Sequence, residues 1–248
     1  MTVAEVSTST RPRSEPLARI VVLGDHNRDL MTHRELDAAL ELFPISVEVS
    51  WVPTDDPRAR ALDDIDGVWV APGSPYRDDE AVYRAIRHAR EHHVPMLGTC
   101  GGFQYAIVEF ARAVAGLPVG HAELEPDHQQ AVIAPLACSL VAQERLVSCV
   151  AATRLARICG TLPFVGFHWC TYGLAEEFVE RLAEFGLLIC AHAPDAGVEA
   201  IELPDHPFFV ATLFQPQIGS GAFRSVPALI GAFIDAAREH AASIMQPG

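Results

Sequence analysis

Cys100 lies in the run Pro95-Met96-Leu97-Gly98-Thr99-Cys100-Gly101-Gly102-Phe103-Gln104. An apolar stretch ends in Gly-x-Cys-x-Gly, and a helix-forming segment from Tyr105 to Ala115 follows at once. That order is the cysteine form of a nucleophile elbow, a sharp strand-to-helix turn that lifts one side chain clear of the fold. Glycines on either side leave room for it. A sulfur at a helix N-terminus has the helix dipole favouring its anionic, reactive form. A buried cysteine in a strand-loop-helix crossover is the plainer alternative, since cysteine often serves as a small hydrophobe. The glycine spacing favours the reactive reading.

Such a turn needs a sheet to stand on. Ala18 to Leu23 is a short β-branched run that ends at Gly24-Asp25-His26. Thr32 is placed to cap a helix through Phe43, with Glu35 completing a capping box. Val47 to Val52 and Ile65 to Ala71 read as strands, followed by the loop Pro72-Gly73-Ser74-Pro75 and a helix from Asp78 to His92. Strands alternating with helices predict a doubly wound parallel sheet. Ligands bind such sheets at the carboxyl ends of the strands, where Gly24, Gly73 and Cys100 should converge. From Gly116 to Phe164 the pattern is less regular and suits an antiparallel extension. Leu174 to Phe185 reads as a helix, Leu187 to Ala191, Val198 to Leu203 and Phe208 to Phe214 as strands, and Val226 to Ala242 as a closing helix.

The chain has 248 residues, half of them hydrophobic, so one large core is within reach. Acidic residues outnumber basic ones by 32 to 18, which argues against nucleic-acid or anionic-membrane partners. The six cysteines (100, 138, 149, 159, 170 and 190) form no CxxC pair and no zinc spacing. They read as reduced thiols of a cytoplasmic protein. Residues 1–17 are rich in Ser, Thr, Arg and Pro, lack an apolar core, and are expected to be a disordered tail rather than a signal peptide. Residues 18–248 are expected to form one domain. No cofactor or metal is expected, since there is no P-loop and no short ligand spacing.

Several segments together resemble the class I glutamine amidotransferase domain of CTP synthase. Ala71-Pro72-Gly73-Ser74 resembles its oxyanion loop, and Gly98 to Gln104 its elbow. Val108-Glu109-Phe110-Ala111-Arg112, Ala193-Pro194-Asp195 and Glu202-Leu203-Pro204-Asp205-His206-Pro207-Phe208 continue the likeness over residues 19–240. The resemblance implies a flavodoxin-like, three-layer α/β sandwich. It implies a cysteine that attacks the side-chain amide of glutamine, forming a thioester and releasing ammonia. Backbone amides of Gly73, Ser74 and Gly101 would hold the oxyanion. Gln104 and Glu123 would hold the substrate amino acid, Glu123 meeting its ammonium. An ordinary helix residue and a solvated loop acid are the plain alternatives for these two.

The likeness breaks where a base is needed. The family's Phe-His-Pro-Glu reads Phe214-Gln215-Pro216-Gln217 here. An amide has no useful pKa near neutrality and cannot relay a proton. A second departure is the loop Gly166-Phe167-His168-Trp169-Cys170-Thr171-Tyr172-Gly173, where the family's arginine beside the glutamine pocket is missing. Three uses of this loop stay open. His168 replaces the base, Cys170 forms a double-thiol centre with Cys100, or Trp169 and its neighbours form a hydrophobic lid. Metal binding by Cys100, Cys170 and His168 is a weaker option. His26, His121 and His128 could approach the crevice, whereas His88, His92 and His93 read as a solvated face and His206 as structural.

Two functions remain open at this level. One is a Cys100-dependent enzyme acting on an amide of glutamine or a related amino-acid-like small molecule, with Gln215 and Gln217 as hydrogen-bond contacts and a separate synthase partner receiving ammonia. The other is a catalytically silent amino-acid-binding or regulatory subunit. A homodimer is compatible with either.

Overall fold

The computed structural model describes residues 17–194 and 196–244. The expected N-terminal tail lies outside these residues except for Leu17, and so does Asp195 of the Ala193-Pro194-Asp195 segment.

The order of elements follows the apolar rhythm of the sequence. Strand β1 (Ala18–Leu23) leads to helix α1 (Met31–Leu40), then β2 (Val47–Val52), β3 (Gly67–Val70), α2 (Asp79–His92), β4 (Met96–Thr99) and α3 (Gly101–Ala113). A small sheet begins with β5 (Gly120–His121) and β6 (Ala131–Pro135). Next come β7 (Gln143–Cys149), α4 (Arg154–Cys159), β8 (Phe164–His168) and β9 (Tyr172–Leu174). The chain closes with α5 (Val179–Ala183), β10 (Leu188–Ala193), β11 (Gly197–Glu202), β12 (Phe209–Thr212), α6 (Ser220–Phe223) and α7 (Ala228–Ile244).

Nine strands form the main sheet in the order β2-β1-β3-β4-β12-β11-β10-β7-β8. The first five are parallel, in the flavodoxin-like order with β12 in the fifth place. The last four pair antiparallel; of the strands in the irregular stretch 116–164, β7 joins this extension, whereas β5 and β6 go to the small sheet, and β10 and β11 come from later in the chain. The strand period of two divides the core. Val68 and Val70 of β3 face Val82, Ile86 and Phe103 on one side of the sheet. Trp69 between them faces Ile230 and Phe233 of α7 on the other. Burying both faces of the central strands needs helices on both sides, and three layers follow.

Three local expectations are corrected. Thr32 does not cap α1; the cap position is Leu30 and carries no side-chain bond. Glu35 instead accepts the backbone amides of Gly219 and Gly221, each at 3.1 Å, a tertiary partner that outcompetes the local box. The stretch 174–185 is not one helix. Leu174 pairs with Ile133 in the small sheet β5-β6-β9, a short 3-10 turn spans Glu176–Phe178, and α5 supplies the rest. Residues 166–168 belong to a strand rather than a loop, because β8 pairs along β7 with His168 opposite Gln143. Among the described residues, no helix is long and apolar enough to cross a membrane.

Gly102 fixes how closely the elbow approaches the sheet. A Cβ there would stand 2.5 Å from the Val70 carbonyl oxygen, a backbone atom that cannot swing aside. Gly102→Ala is therefore expected to lower unfolding free energy by about 2 kcal/mol or more, as overpacking does. Chemical denaturation checks this; an unchanged midpoint would mean that the elbow tolerates a shift away from β3.

Candidate active site

Cys100 occupies the turn between β4 and α3 with φ 54° and ψ −105°. A non-glycine residue is strained there, and such strain persists only where the surroundings impose it. They do so here. The Cys100 amide donates to Thr212 O at 2.8 Å, and Thr99 Oγ1 accepts from the buried indole of Trp69 at 3.0 Å. Phe103 and Gln104 amides return to the Cys100 carbonyl and start the helix. The sulfur is then presented to a cavity of about 300 Å³ at the carboxyl ends of the parallel strands.

The expected oxyanion loop reaches the same cavity. Gly73 has φ 125°, a conformation open to glycine. A Cβ on Gly101 would lie 2.6 Å from Gly73 O, so the loop backbone rests against the elbow. His33 holds this loop, although nothing in its sequence setting marked it. Its Nδ1 accepts from the Asn27 amide at 2.9 Å, so Nε2 carries the proton and donates to Pro72 O at 2.7 Å. The N–H of Gly73 shares that trans peptide plane and points the opposite way. Burial pushes the His33 pKa down and keeps the ring neutral for this task. Asp25 accepts from Thr54 and from the Arg77 amide at 2.7 Å, anchoring the far end of the loop.

Glu123, Gln104 and Ser74 all line the cavity. Ser74 Oγ donates to Glu123 Oε2 at 2.8 Å. Behind them runs a bonded chain with one direction. The Glu123 amide donates to His121 Nδ1 at 3.2 Å, His121 Nε2 donates to Gln104 Oε1 at 3.1 Å, and Gln104 Nε2 donates to Tyr172 O at 2.9 Å. Burial lowers the His121 pKa to about 4, so the ring stays neutral and acts as a spacer. His128 is not among the residues lining the cavity, nor is His26, which pairs with Asp37 at 2.9 Å. His206 is structural, its Nε2 donating to Ala89 O at 2.9 Å.

Gln215 lines the cavity beside Cys100, and Gln217 stands behind it. Gln217 Nε2 donates to Gln215 Oε1 at 2.8 Å, and both residues are buried. Two buried side-chain amides thus face each other at the positions where the resemblance leads one to expect a histidine and a glutamate. Gln215 Nε2 has no hydrogen-bond partner among the described residues, which leaves both of its N–H donors unpaired beside the cavity.

The segment after β8 divides its residues between two places. Trp169, Cys170, Thr171 and Tyr172 line the cavity. Cys100 Sγ lies 3.5 Å from Trp169 O, and Cys170 borders the same cavity. The neighbouring Cys100, with burial, pushes the Cys170 pKa well up. His168 is fully buried and is not part of the cavity wall. Its Nε2 contacts both carboxylate oxygens of Glu199, at 2.9 and 2.8 Å. Glu199 lies within β11, where the strand pattern gave no sign of a buried acid. Among the described residues, no three metal-ligating side chains come together.

Known proteins resemble this arrangement. Residues 29–148 match the family described as glutamine amidotransferase class-I. A CTP synthase of Methanopyrus kandleri is 34% identical over 209 residues, covering 75% of this chain and 38% of the relative. One from Pyrobaculum aerophilum is 36% identical over 208 residues, with 79% and 38% covered. The chain thus spans about 38% of the length of these curated relatives. Among solved structures, the glutaminase domain of Trypanosoma brucei CTPS with bound acivicin has a TM-score of 0.78 at 23% identity, covering 90% of this chain and 94% of that one. A glutamine amidotransferase from Thermotoga maritima has a TM-score of 0.56 at 11% identity, covering 93% and 99%. At such identities the structural likeness speaks for the fold.

Proposed function

This chain carries a class I glutamine amidotransferase domain related to the glutaminase domain of CTP synthase, and from that premise we propose that Cys100 attacks the side-chain amide of glutamine or a related amino-acid-like substrate. The observation that carries this reading is the strained backbone at Cys100, which a merely structural cysteine would not need. Sγ adds to the amide carbon, the C–N bond breaks, and a thioester remains on Cys100 as ammonia leaves. Water then hydrolyses the thioester and restores the thiol. The Gly73 and Gly101 amides, with a spare N–H of Gln215, serve the tetrahedral oxyanion. Glu123, steadied by Ser74, meets the substrate ammonium, and Gln104 and Trp169 border the same space.

Among the described residues, no imidazole lines the cavity. His168 is committed to Glu199, and glutamine cannot relay a proton. The thiol proton therefore reaches the departing nitrogen directly or through water, and turnover is slow. Loss of a triad base costs about 10⁶-fold in rate, with a residual catalysis of about 10³- to 10⁴-fold over water left to the oxyanion hole and binding. A separate synthase partner would receive the ammonia, and a reducing cytoplasm suits the nucleophilic thiol.

A second reading rests on the Gln215–Gln217 pair. Two buried amides bonded to each other suit a silent homologue that binds an amino acid without consuming it. Ammonia release from L-glutamine, read beside the intact mass of the protein, separates the two. Slow release with a transient acyl adduct on Cys100 is expected. Glutamine binding with neither ammonia nor adduct would favour the silent subunit.

A further inference from the structure

We infer that Cys100 and Cys170 form a reversible intramolecular disulfide on exposure to a hydroperoxide, closing the cavity to substrate. The inference needs a reactive Cys100 but not turnover, so it stands or falls apart from the amidase reading. Both cysteines line one cavity, and Cys100 Sγ lies 3.5 Å from the carbonyl oxygen of Trp169, the residue before Cys170. Disulfide formation asks for a further approach to about 2.05 Å with a Cβ–S–S–Cβ angle near a right angle. The segment 169–171 joins β8 to β9 and lies outside both strands, and Trp169 at its start is 42% exposed. Cys100 is held on its turn by the bond to Thr212, and the Cys170 carbonyl accepts the Leu140 amide at 2.9 Å, so the approach falls to rotation of the two side chains.

The chemistry balances with the hydroperoxide as the only added reagent. The Cys100 thiol takes one oxygen from hydrogen peroxide, giving a sulfenic acid and water. The Cys170 sulfur attacks that sulfenic sulfur, the S–O bond breaks, and a second water leaves with the Cys170 proton. The two thiols together lose two electrons, and the peroxide gains them. A dithiol reductant reverses the bond by exchange. Cys170 thereby acts as a resolving thiol, and Cys100 is spared further oxidation to the irreversible sulfinic acid. Cys138 is exposed and lies in the separate tryptic peptide 113–145, and the other three cysteines do not offer Cys100 an equal partner. Cys190 is fully buried in the core on the opposite face of the sheet, and Cys149 and Cys159 pack against that same core.

The test uses the intact chain treated with hydrogen peroxide, alkylated without reduction, and cleaved with trypsin. The expected product joins the peptide 91–112, which holds Cys100, to the peptide 158–181, which holds Cys159 and Cys170. It should disappear with dithiothreitol, persist in Cys159→Ser, and be absent from Cys170→Ser. In Cys170→Ser, the Cys100 peptide should instead gain two oxygens and resist dithiothreitol. A cross-link lost in Cys159→Ser would overturn the inference. So would equal oxidation of Cys100 to sulfinic acid in the wild type and in Cys170→Ser.

Discussion

Replacing Gln215 by His and Gln217 by Glu together is expected to raise glutamine hydrolysis by about 10²- to 10⁴-fold, the range a positioned general base contributes. The geometry for the pair already exists. Gln217 Nε2 stands 2.8 Å from Gln215 Oε1, within the distance at which a carboxylate orients an imidazole. The Gln215 amide is anchored on Phe167 O at 2.8 Å, so the backbone that would carry the histidine is fixed. The spare Nε2 of Gln215 marks an unfilled bonding position in the wall that Cys100 shares. Both changes are needed at once. Gln217→Glu alone buries a carboxylate with no cationic partner, a change expected to cost a few kcal/mol of stability. Gln215→His alone leaves an imidazole whose far nitrogen meets an amide instead of an acid, and should recover only part of the gain. Steady-state ammonia release, beside a denaturation curve for each variant, decides the matter. A double variant that folds like the wild type and gains no rate would show that Cys100 is not poised for amide attack, and would move the balance to the silent subunit.

What could be read in the sequence followed the range of the forces involved. The strands at 18–23 and 47–52, the helix at 79–92 and the elbow were legible because each is set by apolar rhythm or by glycine within a few residues. Cys100, Gly73 and Gln215 converge because the strand ends of a doubly wound sheet must, while Gln104 arrives on the first turn of α3 and Glu123 from beside the small sheet. The misses share another cause, a partner far along the chain. Thr32 and Glu35 make a plausible capping box, yet Glu35 is claimed by amides at 219 and 221. His168 sits two residues from Cys170 and looked available as a base, but Glu199 holds it from a different strand. His33 carried no local signal, and its worth comes from the Pro72 carbonyl 39 residues away. Leu174 would continue a helix were Ile133 not waiting for it across the small sheet.

Cys100→Ala is expected to abolish turnover, a loss of about 10³-fold or more for a nucleophile, and Cys100→Gly should do the same while folding more stably than Cys100→Ala. The two variants separate chemistry from strain. Both lack the sulfur, so neither can form the thioester. Alanine keeps a Cβ at φ 54° and ψ −105° and so keeps the backbone penalty, which is of order 1–3 kcal/mol for a residue held in a sparsely populated region. Glycine removes that penalty and costs roughly 0.5–1 kcal/mol in unfolded-chain entropy. The difference leaves Cys100→Gly about 1 kcal/mol the more stable, readable as a higher denaturation midpoint. A glycine variant less stable than the alanine one would show that the turn is not strained, and the retained strain could no longer stand as the mark of a nucleophile. The expected ranking means that the fold gives up stability at one residue to hold a sulfur in the cavity wall. On the proposed reading, that concession serves a sulfur that reacts.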